Sequence, residues 1–288
     1  MTISDKWEDY EIIDASNGEK LEIWNGIKLL RPDPQIIWDN GNLKEKYNDI
    51  NACYHRSNKG GGHWENLKKT PAQWQVKYKD LVFNIKQMGF KHTGLFPEQS
   101  SNWDYMMDKI SNSKREIKVL NLFAYTGGAS VACLKAGASV VHVDSSRGMI
   151  DWAKENVKSS NLEDRSIRFL VDDVVKFVKR EIRRGNKYDA IIMDPPSYGR
   201  GANGEVWDIE KDLFNLVELC SQILSDNPLF FIINSYTTGL SKEVLVNVLK
   251  LTVDKKYSGK ISSEEIGLPI KNSDLVLPCG IYARWEEK

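Results

Sequence analysis

From Lys118 onward the chain alternates between short, continuously apolar runs and longer segments of helical pattern. This alternation restricts the fold more than any other property of the sequence. The apolar runs are Lys118–Ala124, Ser139–Asp144, Ile167–Val171, Tyr188–Asp194 and Leu229–Asn234. Between and after them the pattern predicts a helix ending at Ala136, then Arg147–Ser159, a basic helix ending at Arg184, about Trp207–Ser225, and about Leu240–Leu251. Two last strands are predicted near Lys260–Ile266 and Leu275–Trp285. Strands apolar at every position, rather than every second one, are covered on both faces and lie parallel. Right-handed crossovers then give an α/β fold with a doubly wound, mostly parallel sheet of seven strands, whose ligand sits beyond the strands' carboxyl ends.

The first 35 residues read differently, as a small β-meander. Tyr10–Asp14, Lys20–Trp24 and Ile27–Arg31 are β-prone stretches separated by Asn17-Gly18 and Asn25-Gly26, and Asn-Gly supplies the positive φ angles of a tight hairpin. A connector rich in aromatics, glycine and base follows, with a helix expected from about Pro71 to Met88. The expected organisation is an N-terminal β-rich subdomain and connector over 1–70 and a catalytic-type domain over 71–288, its core starting near 116. The 40 basic and 40 acidic side chains cancel, but unevenly. Residues 1–50 carry 6 positive and 11 negative groups, whereas residues 54–95 carry 8 and 2. The start of the chain is acidic and lacks the apolar stretch of a signal peptide. No apolar run approaches the ~20 residues of a membrane span. Four scattered cysteines without a CxxC fit free thiols in a reducing, cytoplasmic setting. Cys53, His55 and His63 read as structural residues rather than zinc ligands, and no metal is expected.

Four features fall at the carboxyl ends of successive strands. Asn121-Leu-Phe-Ala-Tyr-Thr-Gly-Gly128 leaves the first and enters a helix; Gly127 and Gly128 let the backbone approach a ligand and expose helix amides. The G-x-G-x-x-G dinucleotide fingerprint is absent, which disfavours a nicotinamide oxidoreductase. Asp144, followed by Ser145 and Ser146, ends the second strand about 20 residues on, where a carboxylate accepts both ribose hydroxyls of an adenosine. Asp172 and Asp173 follow the third; either can reach an adenine amine. Asp194-Pro195-Pro196-Ser197-Tyr198 follows the fourth. Its prolines lock the turn and leave the Pro195 carbonyl pointing outward. Asp194 and that carbonyl can together accept hydrogen bonds from an amine, and Tyr198 offers a stacking face.

In this order the four features resemble the class I S-adenosylmethionine-dependent methyltransferases with their Rossmann-like sheet. The chain is most similar to bacterial 23S ribosomal-RNA methyltransferases of the cytosine-C5 and guanine-N7 type and their uncharacterised relatives. Asn-Leu-Phe-Ala-Tyr-Thr-Gly-Gly, Val-Asp-Ser-Ser, Asp-Asp-Val, Met-Asp-Pro-Pro-Ser and Gly94-Leu-Phe-Pro-Glu-Gln99 carry the likeness. The resemblance implies S-adenosyl-L-methionine as cofactor, with S-adenosyl-L-homocysteine as product. Its binding set would comprise Phe96, Gln99, Asn121, Phe123, Tyr125, Thr126, Gly127, Gly128, Asp144, Ser145, Ser146, Asp172, Asp173 and Asp194. Tyr125, Thr126 and Gly127 would flank the methionine part, and Phe96 and Gln99 would cover the cofactor. Many relatives follow the acidic-Gln pair with an arginine for the cofactor carboxylate. Here Ser100 follows, so Asn102 or Trp103 would make that contact.

The catalytic candidates are Asp194, Pro195, Pro196 and Tyr198. Methylating a pyrimidine carbon requires a cysteine nucleophile after the fourth or fifth strand. Those places hold Ser197 and Asn234-Ser-Tyr-Thr-Thr238 instead, and Cys220 and Cys279 fall in a helix and the last strand. A base nitrogen is therefore the expected target. The basic segment 54–95, interleaved with Tyr54, Trp64, Trp74 and Tyr78, would contact ribosomal RNA through phosphates and stacking. Protein or small-molecule methylation, cytosine-C5 methylation, and cofactor binding without catalysis are the alternatives.

Overall fold

The computed structural model describes residues 1–57, 61–201 and 204–288. The chain divides into two compact units. One comprises Met1, Asn102–Ile266 and Gly280–Lys288; the other comprises Thr2–Ser101 and Gly267–Cys279. Residue 70, the expected boundary, lies inside the N-terminal unit of Thr2–Ser101 and Gly267–Cys279.

The N-terminal unit holds β1 (Thr2–Ile3), β2 (Tyr10–Ser16), β3 (Glu19–Trp24), β4 (Ile27–Pro32), the one-turn helix α1 (Leu43–Lys46), β5 (Ala52–Arg56), β6 (Gly62–Asn66), β7 (Trp74–Tyr78) and β8 (Leu81–Ile85). β2 to β6 form one sheet in chain order. Both Asn-Gly turns take the left-handed conformation, with φ +49° and +79° at Asn17-Gly18 and +46° and +83° at Asn25-Gly26. Inside the meander Glu22 is fully buried and accepts from Arg31 Nε at 2.6 Å, Arg31 Nη2 at 2.8 Å and Tyr10 Oη at 2.7 Å. Burial alone would raise its pKa, but the charges of Arg31 and Lys20 outweigh that and hold it at about 2.

The helix expected over Pro71–Met88 is instead the β7–β8 hairpin. Alternation explains it. Val76 and Tyr78 are buried while Gln75, Lys77 and Lys79 are exposed, a period of two that only a strand satisfies. Lys79, at φ +51°, makes the turn without a glycine, which hid the hairpin. β5 and β6, unforeseen in the sequence, carry the connector.

The second unit begins in helix α2 (Ser100–Asn112) and continues with β9 (Lys118–Leu122), α3 (Gly128–Lys135), β10 (Ser139–Asp144), α4 (Arg147–Ser159), β11 (Ile167–Val171), α5 (Val174–Arg184), β12 (Ala190–Met193), β13 (Tyr198–Arg200), β14 (Val206–Asp208), α6 (Ile209–Ser221), β15 (Phe230–Ser235), α7 (Lys242–Leu251), α8 (Val253–Lys256), β16 (Gly259–Pro269) and β17 (Val276–Glu287). The sheet order is β16-β17-β15-β12-β9-β10-β11, with two-residue β1 added beside β16, so it counts eight strands. β11, β10, β9, β12 and β15 run parallel and β17 antiparallel to β15. Phe230 to Ile233 have no accessible surface on either face of β15, as a strand between two helical layers requires. From β9 the chain steps outward to β10 and β11, then returns past β9 to β12. The ends of β9 and β12 therefore flank the point where strand order reverses, which is where such sheets bind ligands.

Candidate active site

The loop after β9 is strained. Phe123 and Tyr125 have φ of +53° and +52°, and Gly127 has +86°. Non-glycine residues seldom adopt such angles, and they persist where surrounding contacts enforce them. The enforcing contacts are present. Asp144 Oδ2 accepts the Tyr125 N–H at 2.8 Å and Asp144 Oδ1 accepts the Ser146 N–H at 2.8 Å. Asn156 Nδ2, fully buried, donates to the Thr126 carbonyl at 2.8 Å. Burial pushes the Asp144 carboxyl up, and the two backbone amides pull it partly back.

Beneath the loop Asn121 Nδ2 donates to Ser130 Oγ at 2.9 Å, and Ser130 Oγ lies 2.9 Å from His142 Nδ1. Asn121 is thus an internal brace 3% exposed rather than a surface group. Burial holds the His142 imidazole down at about 3. The glycine pair is dictated by packing. A Cβ on Gly128 would stand 2.7 Å from Trp103 Cζ2, and one on Gly127 would stand 3.0 Å from Ala153 Cβ.

Asp172 and Asp173 separate in role. Asp172 pairs with Arg180, whereas Asp173 caps α5 by accepting the Lys176 N–H at 2.8 Å. A cleft of about 420 Å³ opens beside them, lined by Phe123, Asp144, Ser145, Asp173, Val174, Pro196 and Trp207 among others. Its volume is that of a small-molecule site.

Asp194 directly follows β12, its N–H 3.4 Å from the Leu122 carbonyl. Two elements at this turn escaped the sequence reading. The first is the β13–β14 hairpin, which carries Tyr198 exposed on its first strand. The second is Trp207, expected to start a helix but located on β14. Its indole Nε1 donates to the Pro196 carbonyl at 2.7 Å, and its ring lies 5.0 Å from that of Phe123. Trp207 thus joins the Asp-Pro-Pro turn to the cleft; its signal was only a tryptophan eleven residues after Pro196. Where a carbon-methylating cysteine would stand, Ser197 Oγ meets Thr237 Oγ1 at 2.7 Å. Cys220 is fully buried in α6 and Cys279 partly buried in β17, and burial pushes both thiols up.

Asn102 and Trp103, named in place of the missing arginine, both lie in packed surroundings. Trp103 is occupied against Gly128, and Asn102 is buried with Nδ2 donating to Asn234 Oδ1 at 2.8 Å. Arg284 of β17 donates to Asn102 Oδ1 through Nε at 3.0 Å and through Nη2. Phe96 and Gln99 lie in the N-terminal unit, flanking and ending a single 3-10 turn (Pro97–Gln99). The aromatic platforms expected over 54–95 are corrected as well. Tyr54 and Tyr78 are buried, while Trp64 and Trp74 are half-buried and spend their indole N–H groups on the carbonyls of Met88 and Trp24. The segment exposes the charges of Arg56, Lys68, Lys69, Lys77 and Lys79, together with Leu67 and Phe90. Its residues Asn58, Lys59 and Gly60 lie outside the described residues.

A sheet with this strand order, carrying a glycine turn, a carboxylate and an Asp-Pro-Pro turn at the carboxyl ends of β9, β10 and β12, has the layout of nucleoside-cofactor enzymes. The family model for S-adenosylmethionine-dependent methyltransferases matches residues 43–243, and the chain belongs to that family. A solved S-adenosylmethionine-dependent methyltransferase from Agrobacterium tumefaciens is 33% identical, with a TM-score of 0.94 over 100% of this chain and 93% of that one. SMU.776, solved in complex with SAH, shares the fold, with a TM-score of 0.74 and 20% identity over 97% of this chain and 76% of its own. Ribosomal RNA large subunit methyltransferase K/L of Syntrophotalea carbinolica is 30% identical over 189 residues, which are 65% of this chain and 26% of that protein. The chain thus spans about a quarter of the length of the curated relatives it matches. Among the described residues no helix is long and apolar enough to cross a membrane.

Proposed function

We propose that this protein methylates a base nitrogen of ribosomal RNA by direct in-line transfer, acting in the cytoplasm. The observation that carries this reading is the Asp194-Pro-Pro turn at the strand-order reversal, held by Trp207 and lacking any cysteine beside it. S-adenosylmethionine, when bound, supplies an activated methyl, so alignment and proton removal are the protein's remaining tasks. Asp144 accepts the ribose hydroxyls with the lone pairs that the Tyr125 and Ser146 amides leave over. Asp173 takes the adenine amine in the cleft, since Asp172 is engaged by Arg180. Asp194 and the Pro195 carbonyl receive the target amine, and exposed Tyr198 stacks on the base. A nitrogen is already nucleophilic, so Ser197 and Thr237 in place of a thiol fit this target.

Nucleosides of ribosomal RNA from deletion and parent cells test the substrate: one methylnucleoside missing from the deletion strain is expected. An unchanged profile would point to a protein or small-molecule acceptor. Calorimetry with S-adenosylhomocysteine tests the site, with micromolar binding expected and lost in Asp144→Ala.

A further inference from the structure

We propose that Arg284 binds the α-carboxylate of the cofactor's amino-acid end, an inference that rests on the methyltransferase reading above. Arg284 is only 9% exposed. Tyr282 and Tyr105 face it, with ring centroids 4.0 and 4.3 Å from its central carbon. Its hydrogen bonds go to one neutral acceptor, Asn102 Oδ1. Among the described residues it forms no ion pair, and Nη1 makes no hydrogen bond. The nearby acid, Glu286, is already neutralised by Lys109 at 2.7 Å and accepts the Tyr105 hydroxyl at 2.9 Å. The cluster therefore holds one uncompensated positive charge. A buried cation is unfavourable unless an anion accompanies it.

The position of the cluster identifies that anion. Asn102 is bonded to Asn234, and Asn234 and Asp194 each follow directly on the paired residues Ile233 and Met193. On its other side Asn102 is followed by Trp103, whose indole lies over Gly128. The guanidinium is thus anchored between the turn that presents the target amine and the loop that flanks the methionine end of the cofactor. A planar fork with a free edge is suited to a carboxylate. Asn102 fixes the other edge, so the group is oriented before the ligand arrives.

Two probes separate this role from a structural one. S-adenosylhomocysteine carries the carboxylate, and 5′-methylthioadenosine has the same adenosine and sulfur without it. Arg284→Met is expected to weaken S-adenosylhomocysteine about 10- to 100-fold, as loss of a charge-assisted hydrogen-bonded pair does. Its affinity for 5′-methylthioadenosine should stay within about twofold. Arg284→Lys, which keeps the charge and loses the fork, should fall between, and it carries the test if the methionine variant does not fold. Equal weakening of both probes, or no change in either, overturns the proposal. So does a variant that loses only RNA affinity. Failure of the wild-type protein to bind either probe would strike the cofactor reading itself.

Discussion

At the scale of single residues, two buried groups make opposite demands on the same loop. His142 must stay neutral. Above an imidazole pKa of about 6.5 neither folded nor unfolded chain holds the extra proton. Below it the unfolded chain takes the proton up, and the folded chain does not until about pH 3. Stability should therefore fall between those values by up to about 1.4 kcal/mol per pH unit from this residue. Thermal midpoints at pH 7 and 5 check it, with His142→Gln expected to show a smaller drop than wild type. Gly128 makes the other demand, for space. Gly128→Ala sets a methyl 2.7 Å from the Trp103 ring and should cost about 1–3 kcal/mol, as overpacking does, readable as a lowered midpoint. The sequence singled out Gly128 as a turn position, and its packing against Trp103 is a second demand that the sequence does not show. Closeness to a ligand is a local property of a turn, whereas the Trp103 ring comes from a helix 25 residues earlier in the chain.

At the scale of elements, the β13–β14 hairpin is the part of the site that the sequence concealed. Its first strand follows directly on a double proline, and its strands are three residues each, too short for any periodicity to register. Trp207→Phe keeps the ring against Phe123 and removes the N–H held by the Pro196 carbonyl. The lost bond corresponds to about 0.5–1.5 kcal/mol. The expected result is a thermal midpoint within a few degrees of wild type and methyl transfer slowed about 2- to 10-fold. A variant as active as wild type would show that the turn is set by its prolines alone. The parallel strands and the helices between them, by contrast, were legible almost to the residue: β10 (Ser139–Asp144), α4 (Arg147–Ser159) and β11 (Ile167–Val171) stand as read. Continuous apolar runs alternating with helical patterns announce themselves locally, even at the sheet edge, where no residue of β11 is fully buried. The β7–β8 hairpin did not, because Lys79 occupies a left-handed turn position usually held by glycine or asparagine.

At the scale of the whole molecule, the charge pattern retains meaning although the aromatics near it turned inward. Replacing Lys68, Lys69, Lys77 and Lys79 together by glutamine should weaken RNA binding and flatten its dependence on salt. Every phosphate that is no longer neutralised reduces the slope by about 0.7–0.9. S-adenosylhomocysteine affinity should not move. Filter binding across a salt series, with calorimetry beside it, reads both. A slope unchanged from wild type would place the RNA surface elsewhere. The sequence by itself determined the alternation of strands and helices, the meander with its two Asn-Gly turns, and the order of Asp144, the Asp172-Asp173 pair and Asp194 at successive strand ends. Each of these is written in the period, the turn chemistry or the polarity of a few adjacent residues. Only the tertiary structure decided that Asp172 belongs to Arg180, that Trp207 holds Pro196, and that Arg284 reaches Asn102 from 182 residues away. Hydrogen bonds and ion pairs between individual side chains leave no periodic trace. Their partners are chosen by sheet register and helix packing, which exist only once the chain has closed on itself.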